Sequence, residues 1–510
     1  MDLEISIKNY RCFGDKPATF QIKKGSVAFL GPNNSGKSSA LKFFYEFRPL
    51  LKTLSNPGEL GTAITLGREF HAGDKIPDRT QLFCNANDRD LEIKITNTKL
   101  KIDTVRLILN RSNTKFIIQF SKKSAAELDA TTLVDNYNQL SLEIQPWTEV
   151  FQTLSKMTYI GPFRNLTIES ANPTTYFDLQ IGSALVHWWD GNKTGPHRTQ
   201  NRLAIKVVKD IRRIFGFNDL EINASPNKQT FHTVVNGHAY NLEEIGAGVA
   251  QFITVFANLA FNQPSYVLID EPEMNLHPSL QMTFLSLLSD YSGMGVIFST
   301  HSVGLARSAA DLVYSVHQKG GLSEITPFEG TPTLAEFLGE LSFSGYRELG
   351  CKKILLVEGR SEIKPVQHFL RQMKKDQQIV LLSLDGDRLI NRSAEGELTE
   401  IKRIGDVFAL IDSERKAENE PLSRTRSDFQ EVCRKLGIPC HVLERRALEN
   451  YFTGPAIKRE TNGKCSALTP FQRLKDLPNA WQKTENWAVA RHMVLGDFAE
   501  TDLGRFLAKL

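Results

Sequence analysis

The 510-residue chain carries 62 Lys and Arg against 58 Asp and Glu, a formal net charge of +4, with 41% hydrophobic residues and a mean hydropathy of −0.28. That apolar fraction excludes a disordered chain, which lacks the core to offset its ordering entropy. No apolar run approaches the ~20 residues that span a bilayer, so no membrane segment is expected, and the length predicts two to four domains at ~150 residues each. Cys12, Cys84, Cys351, Cys433, Cys440 and Cys465 are scattered without a CxxC pair. They argue against a disulfide framework or a zinc site and point to reduced thiols in a cytoplasmic setting. The opening MDLEISIKNYRCF alternates like a strand and shows no signal-peptide core. After residue 350, 28 basic side chains face 23 acidic ones, a mild pull for a polyanion on that part.

Leu3–Lys8 and Ala18–Ile22 read as short strands, and Ser26–Leu30 is apolar and runs into GPNNSGKSS. That loop matches GxxxxGK[ST] between a strand and a helix. Gly31, Asn34 and Gly36 lend backbone N–H groups to curl around phosphates, with Ser39 opening the helix behind them. Lys37 reaches the outer phosphates and Ser38 can ligate Mg²⁺, so ATP is the expected nucleotide. Three β-rich runs follow between Leu91 and Phe120. Residues 140–260 look mostly helical, with a polar insertion at Asp190–Arg198. Tyr266–Asp270 and Gly295–Ser299 read as buried strands flanking a helix from Pro278 to Asp290. The first ends in Asp270, expected in the Mg²⁺ shell, and Glu271, expected to orient or deprotonate water; the second leads to His301, placed as a γ-phosphate sensor.

The register changes near Gly345–Cys351. A new alternation then begins, with Lys353–Val357, a helix through Arg371, Ile379–Leu384 and Val407–Ile411, and it implies a second, mostly parallel sheet. The fold class is therefore α/β. Glu358, Glu362, Asp385, Asp387, Asp412 and Glu414 all fall at or beyond strand ends of that sheet. Gathered there they form a ligand set for hard divalent cations, and a bound metal is the simplest relief of so much like charge.

Walker A, then DEPE with NLHP following, then STH, is similar to the ABC-type ATPase heads of the structural-maintenance and recombination-repair class. LEEIGAGVAQ (Leu242–Gln251) occupies the place of their signature motif, with Ala247 where LSGGQ has serine, while Gly246 and Gly248 keep its backbone donors. The resemblance implies a homodimer through the heads, or a higher oligomer. TYIGPFRNL resembles a segment of one branch whose arginine would be Arg164. EGxxE, DGD and DxE in that order resemble a Toprim domain, with Asp412-Ser413-Glu414 standing where DxD is usual. In tandem the two resemble the OLD (overcoming-lysogenization-defect) family of ATP-binding nucleases. That implies an ABC-type P-loop ATPase domain over residues 1–345, with a helical lobe at roughly 135–250, and a Toprim domain with a helical tail over 346–510. It further implies two Mg²⁺ or Mn²⁺ ions, DNA as substrate, Glu358 and Asp412 as catalytic ligands, Glu449 in the metal shell and Lys483 on the transition-state phosphate. Such proteins act in anti-phage defence, and the resemblance extends to a partner, either a reverse transcriptase with its nucleic acid or a helicase. A clamp or sensor with an inactive Toprim domain is the alternative. A primase is disfavoured because the cysteines cannot build its zinc module.

Overall fold

The computed structural model describes every residue except 1, 70–77, 113–114, 123–127, 136, 138, 163–174, 243, 275, 329–352, 377, 385–397, 400 and 403–405. The chain forms two compact units, one from Met1–His277, Thr283–His301 and Leu312–Phe328, the other from Pro278–Met282, Ser302–Asp311 and Glu329–Leu510. Among the described residues no helix is long and apolar enough to cross a membrane.

The first unit holds two six-stranded sheets. In one, the order is Leu322–Pro327, Leu312–Lys319, Gly25–Leu30, Gly295–Thr300, Tyr266–Asp270, Thr158–Ile160, parallel except for the edge hairpin formed by the first two. Its three central strands are buried along their whole length. That is why they appear in the sequence as continuous apolar runs. The other sheet is antiparallel and includes Asp2–Lys8, Ala18–Lys23, Leu91–Thr96, Thr104–Leu109 and Lys115–Ser121. Its strands alternate buried and exposed positions. A single core runs through both, joining Ile5, Phe20 and Leu107 to Phe29, Leu268 and Ile297 by way of Phe43 and Phe44 of the helix Lys37–Glu46. The far end of that helix is tied down through Glu46, whose carboxylate accepts from Tyr10 Oη at 2.6 Å and Arg11 Nε at 3.1 Å.

Residues 140–260, which read as mostly helical, hold strands as well as helices. Thr158–Ile160 is the edge strand of the parallel sheet, and Leu220–Ala224, Phe231–Val235 and His238–Asn241 form a separate antiparallel sheet. The last two strands are joined by Asn236-Gly237, both at positive φ (51° and 81°), the backbone a two-residue hairpin demands. Asp190–Arg198 is likewise no insertion. The helix Gly182–Thr194 runs through most of it, and the helix Arg198–Phe215 starts at its end. Trp189 of the first of these is buried and its Nε1 donates to Ile222 O at 3.1 Å, seating the helix on the small sheet.

The second unit contains a four-stranded sheet, entirely parallel, in the order Ile379–Ser383, Lys353–Val357, Asp406–Ile411, Cys440–Val442. Its fourth strand is short and half-buried and had no counterpart in the sequence reading. The residues expected as a helical tail are core: Trp481, Val489, Phe498, Leu503 and Leu507 pack with Phe369 and Leu370 of the helix Arg360–Gln372. The last helix, Asp502–Lys509, is pinned by Asp502. Its carboxylate meets His441 Nε2 at 2.9 Å and accepts from Tyr451 Oη at 2.6 Å and Glu444 N at 2.9 Å. Burial opposes the charge on Asp502, but these partners outweigh it and hold the pKa down at about 2, against ~3.9 for a free Asp.

Because the folded pKa lies below the unfolded one, this stabilisation is complete above about pH 4 and is lost as the pH falls towards 2. Asp502→Asn should therefore destabilise the chain by roughly 2 kcal/mol at neutral pH. Thermal melts of parent and variant should converge as the pH is lowered from 4; a gap that stays constant contradicts the account.

Candidate functional site

The ATPase-type site is built on three neighbouring strands. Gly25–Leu30 delivers the phosphate loop, and Gly36 turns it at φ 107° into the helix that starts at Lys37. A side chain is excluded there twice over, since a Cβ on Gly36 would lie 2.7 Å from Ser323 Oγ and 2.8 Å from Cys12 Sγ. Gly31 is as constrained, because a Cβ would meet Val316 O at 2.1 Å. Gln318 Nε2 holds the tip of the loop through Asn34 O at 2.8 Å. Ser38 and Ser39 sit in the first turn of the helix, where free N–H groups and the helix dipole favour an anion. Lys37 is buried and folded back on its own loop, donating to Gly31 O at 2.9 Å and Pro32 O at 2.8 Å. Burial lowers its pKa, while Asp270, Glu271 and Glu273 work in the other direction.

Across the sheet, buried Asp270 accepts from Ser299 Oγ. Glu271 adopts φ 52°, sparsely populated for a residue with a side chain, with its N–H directed at Ser299 O at 3.2 Å. Its carboxylate lies 2.9 Å from His301 Nε2, and the ring nitrogens of His301 lie 3.4 and 3.5 Å from Lys37 Nζ. Lys37, Asp270, Glu271 and His301, picked out far apart in the sequence, thus share one site. Glu273, the last acid of DEPE, carries no signal in the sequence beyond its place in that motif. Its Oε1 accepts from Thr300 Oγ1 at 2.6 Å and His301 N at 3.1 Å, fixing the strand end that carries His301, and burial raises its pKa. The oxygen and cation set suits a nucleotide: Lys37 and the loop N–H groups would hold phosphates, and Ser38 and Asp270 would hold Mg²⁺. Gly246 caps the helix Ala247–Asn262 and Gly248 lies in its first turn. Among the described residues, no hydrogen bond joins either glycine to this loop.

The carboxylates of the second unit gather at a different sheet edge. Lys353–Val357 and Asp406–Ile411 are adjacent central strands, and the chain crosses back over the first to reach the second, making a topological switch point. Glu358 follows one strand and Asp412 the other, and Asp412 N donates to Glu358 Oε2 at 3.0 Å. Glu362 returns to cap its own helix at Gly359 N and accepts from Ser361 Oγ at 2.8 Å. Lys483 Nζ lies 3.5 Å from both Asp412 and Glu449. Burial first, then the neighbouring carboxylates, push the pKa of Asp412 well up, and burial likewise raises Glu358 and Glu362. The same carboxylates raise Lys483 against its own desolvation.

The like charge is relieved in part by the chain itself, through Lys483 and through Arg426, whose Nη2 donates to Glu358 Oε1 at 2.6 Å and whose Nε donates to Asp412 O at 2.7 Å. No motif marks Arg426, which sits in a polar helix, Arg424–Lys435. Glu414 lies on the side of Glu449 and Lys483 and lines a groove with them. It turns at φ 54° and pairs with Arg446. Among the described residues no three acidic, His or Cys groups converge at ligand geometry as the site stands, although its all-oxygen donor chemistry fits a hard divalent ion. Asp385, Asp387 and Arg164 lie outside the described residues.

A glycine-pinned phosphate loop feeding a helix, with an acid pair one strand beyond its neighbour, defines a P-loop ATPase domain. The family model "AAA domain, putative AbiEii toxin, Type IV TA system" matches residues 26–307, more than half of the chain, and the chain belongs to that family. No curated protein matches it. Among solved structures it is similar to the SMC head domain from Thermotoga maritima, at 15% identity over 65% of this chain and 100% of that one, with a TM-score of 0.35. An SmcHead bound to the C-winged helix domain of ScpA is similar at 12% identity over 64% of this chain and 98% of that one, TM-score 0.41. An Smc head domain bound to the C-terminal domain of ScpA, derived from Pyrococcus furiosus, is similar at 10% identity over 64% and 96%, TM-score 0.37.

Lys37→Ala removes a side-chain cation that donates to the loop carbonyls of Gly31 and Pro32. It should weaken ATP binding by about 10- to 100-fold, the loss of a charged hydrogen bond or two. Titration with a fluorescent ATP analogue checks this; parent affinity in a variant that melts like the parent contradicts it.

Proposed function

We propose that this P-loop ATPase is also a divalent-cation-dependent DNA endonuclease of the OLD type, with its cutting site in a Toprim domain formed by the second unit. The observation that carries the reading is the switch-point cluster. Glu358 and Asp412 end adjacent central strands, and Glu362, Glu449 and Lys483 are drawn to the same edge. Mg²⁺ or Mn²⁺ held there by Glu358, Glu362, Asp412 and Glu449 would polarise a phosphodiester and acidify a bound water. The protein's own part is to orient Glu358 through Arg426 and to set the Lys483 ammonium beside Asp412 and Glu449, where it can offset charge growing on a phosphate. In the ATPase site, Glu271 would position water, with its carboxylate held by His301, while Lys37 and Ser38 bind the phosphates.

Gly246 is exposed at a helix start, which fits a second copy's nucleotide docking there, so ATP would drive a homodimer. The Lys37→Ala chain should then stay monomeric in ATP. A role as an anti-phage effector, with a reverse transcriptase and its nucleic acid or a helicase as partner, rests on the family resemblance, and co-purification from the native host would reveal such a partner. One observation favours the alternative of a clamp or sensor without cutting activity. Glu414 and Glu358 are each paired with an arginine, Arg446 and Arg426, which lowers the negative charge offered to a metal.

Nicking of supercoiled plasmid in Mg²⁺ or Mn²⁺ separates the two readings. Glu358→Ala and Asp412→Ala should each lower cutting by about 100-fold or more and leave ATP turnover intact. Cutting at the parent rate in both variants would put the clamp reading in its place.

A further inference from the structure

We propose that a groove beside the carboxylate cluster of the second unit holds the backbone of the DNA strand flanking the cut, with Arg473 and Lys475 as its phosphate contacts. The groove encloses about 470 Å³ and is lined at one end by Glu449 and Lys483 of the cluster, a volume within the range of about 300–1,000 Å³ typical of ligand sites. Four cations and two carboxylates face it. Two of those cations are already engaged, Arg446 with Glu414 and Lys483 with Glu449 and Asp412. Arg473 and Lys475 have no carboxylate within ion-pair distance among the described residues, so these two charges on the groove wall are not tied up in ion pairs. Such charges at a phosphodiester-cutting edge suit a polyanion that displaces its counterions on binding.

The wall that carries them is well fixed. Arg473 and Lys475 flank Leu474, which is buried in the core, and the preceding turn is held by Asn450 Nδ2, donating to Gln472 O at 2.9 Å and Thr469 O at 2.7 Å. The floor is fixed to the cluster as well. Trp481 Nε1 donates to Asn486 Oδ1 at 2.9 Å, and Asn486 Nδ2 reaches Glu449 Oε2 at 3.5 Å. A strand lying along Arg473 and Lys475 would therefore meet Lys483 and the carboxylates in a fixed direction. The choice of DNA as the polyanion rests on the endonuclease reading; the charge of the groove does not.

The test uses the full chain in EDTA with a fluorescein-labelled DNA oligonucleotide, binding being followed by anisotropy between about 50 and 200 mM KCl. Replacing both residues (Arg473→Ala with Lys475→Ala) should weaken binding about tenfold and lower the slope of log K against log salt by roughly 1.5 to 2, the loss of two phosphate contacts. Arg473→Lys alone should keep most of the affinity. Lys475 is exposed and Arg473 partly so, and an unchanged melting curve confirms that the double variant is folded. Parent affinity and slope in the double variant, or no DNA binding by the parent, overturns the groove. The endonuclease reading fails separately: if Glu358→Ala cuts like the parent while the double variant loses DNA, the groove stands and that reading falls.

Discussion

Four carboxylates and two cations at one sheet edge set the terms for the second unit. Asp412 is buried, Glu362 and Glu449 are buried nearby, and Glu358 accepts from the Asp412 backbone. Desolvation favours the protonated forms of Asp412, Glu358 and Glu362. The chain answers with a guanidinium from one helix and an ammonium from a turn more than fifty residues further on. The packing of residues 443–510 is thus part of the site's electrostatics, since Trp481 and Val489, on either side of Lys483 in the chain, are in the core. Removing either cation would leave buried charge uncompensated, which costs far more than an exposed ion pair is worth.

The first unit solves a related problem with backbone. Its loop has little side-chain bulk, because Gly31 and Gly36 are pressed against Val316, Ser323 and Cys12, so N–H groups and a helix start are left to face an anion. Lys37, folded onto the loop carbonyls, and the acids Asp270, Glu271 and Glu273 balance one another. Two sites of opposite construction result. One is an anion cradle with acids behind it, and the other is an acid cluster with cations around it. The first suits nucleotide phosphates, and the oxygens of the second suit a hard cation.

What could be read in the sequence follows from burial and locality. Strands covered on both faces, such as Tyr266–Asp270 and Lys353–Val357, appear as unbroken apolar runs, and the acids that end them are conspicuous for that reason. Pro278–Asp290 was legible as a helix to its ends. The small sheet at residues 220–241 was missed although Asn236-Gly237 announces a hairpin, because the helices on either side dominated the pattern. Arg426 could not be found from local sequence: it is one arginine among several in a polar helix and matters only through folding next to Glu358. Glu414 shows another limit: its position in DSE reads as a ligand, while its pairing with Arg446 depends on a left-handed backbone that no local pattern marks. Lys483 was legible only through family resemblance, since nothing near it in the chain marks it as part of a site.

The central claim is that the switch-point cluster binds a divalent cation independently of nucleotide. Mn²⁺ titration of the full chain without ATP, followed by the loss of the free-ion electron paramagnetic resonance signal, tests it directly. The parent and Lys37→Ala chains should both take up Mn²⁺, and Asp412→Ala, still folded by its melting curve, should not. Equal uptake by all three chains, or none by the parent, would contradict the assignment.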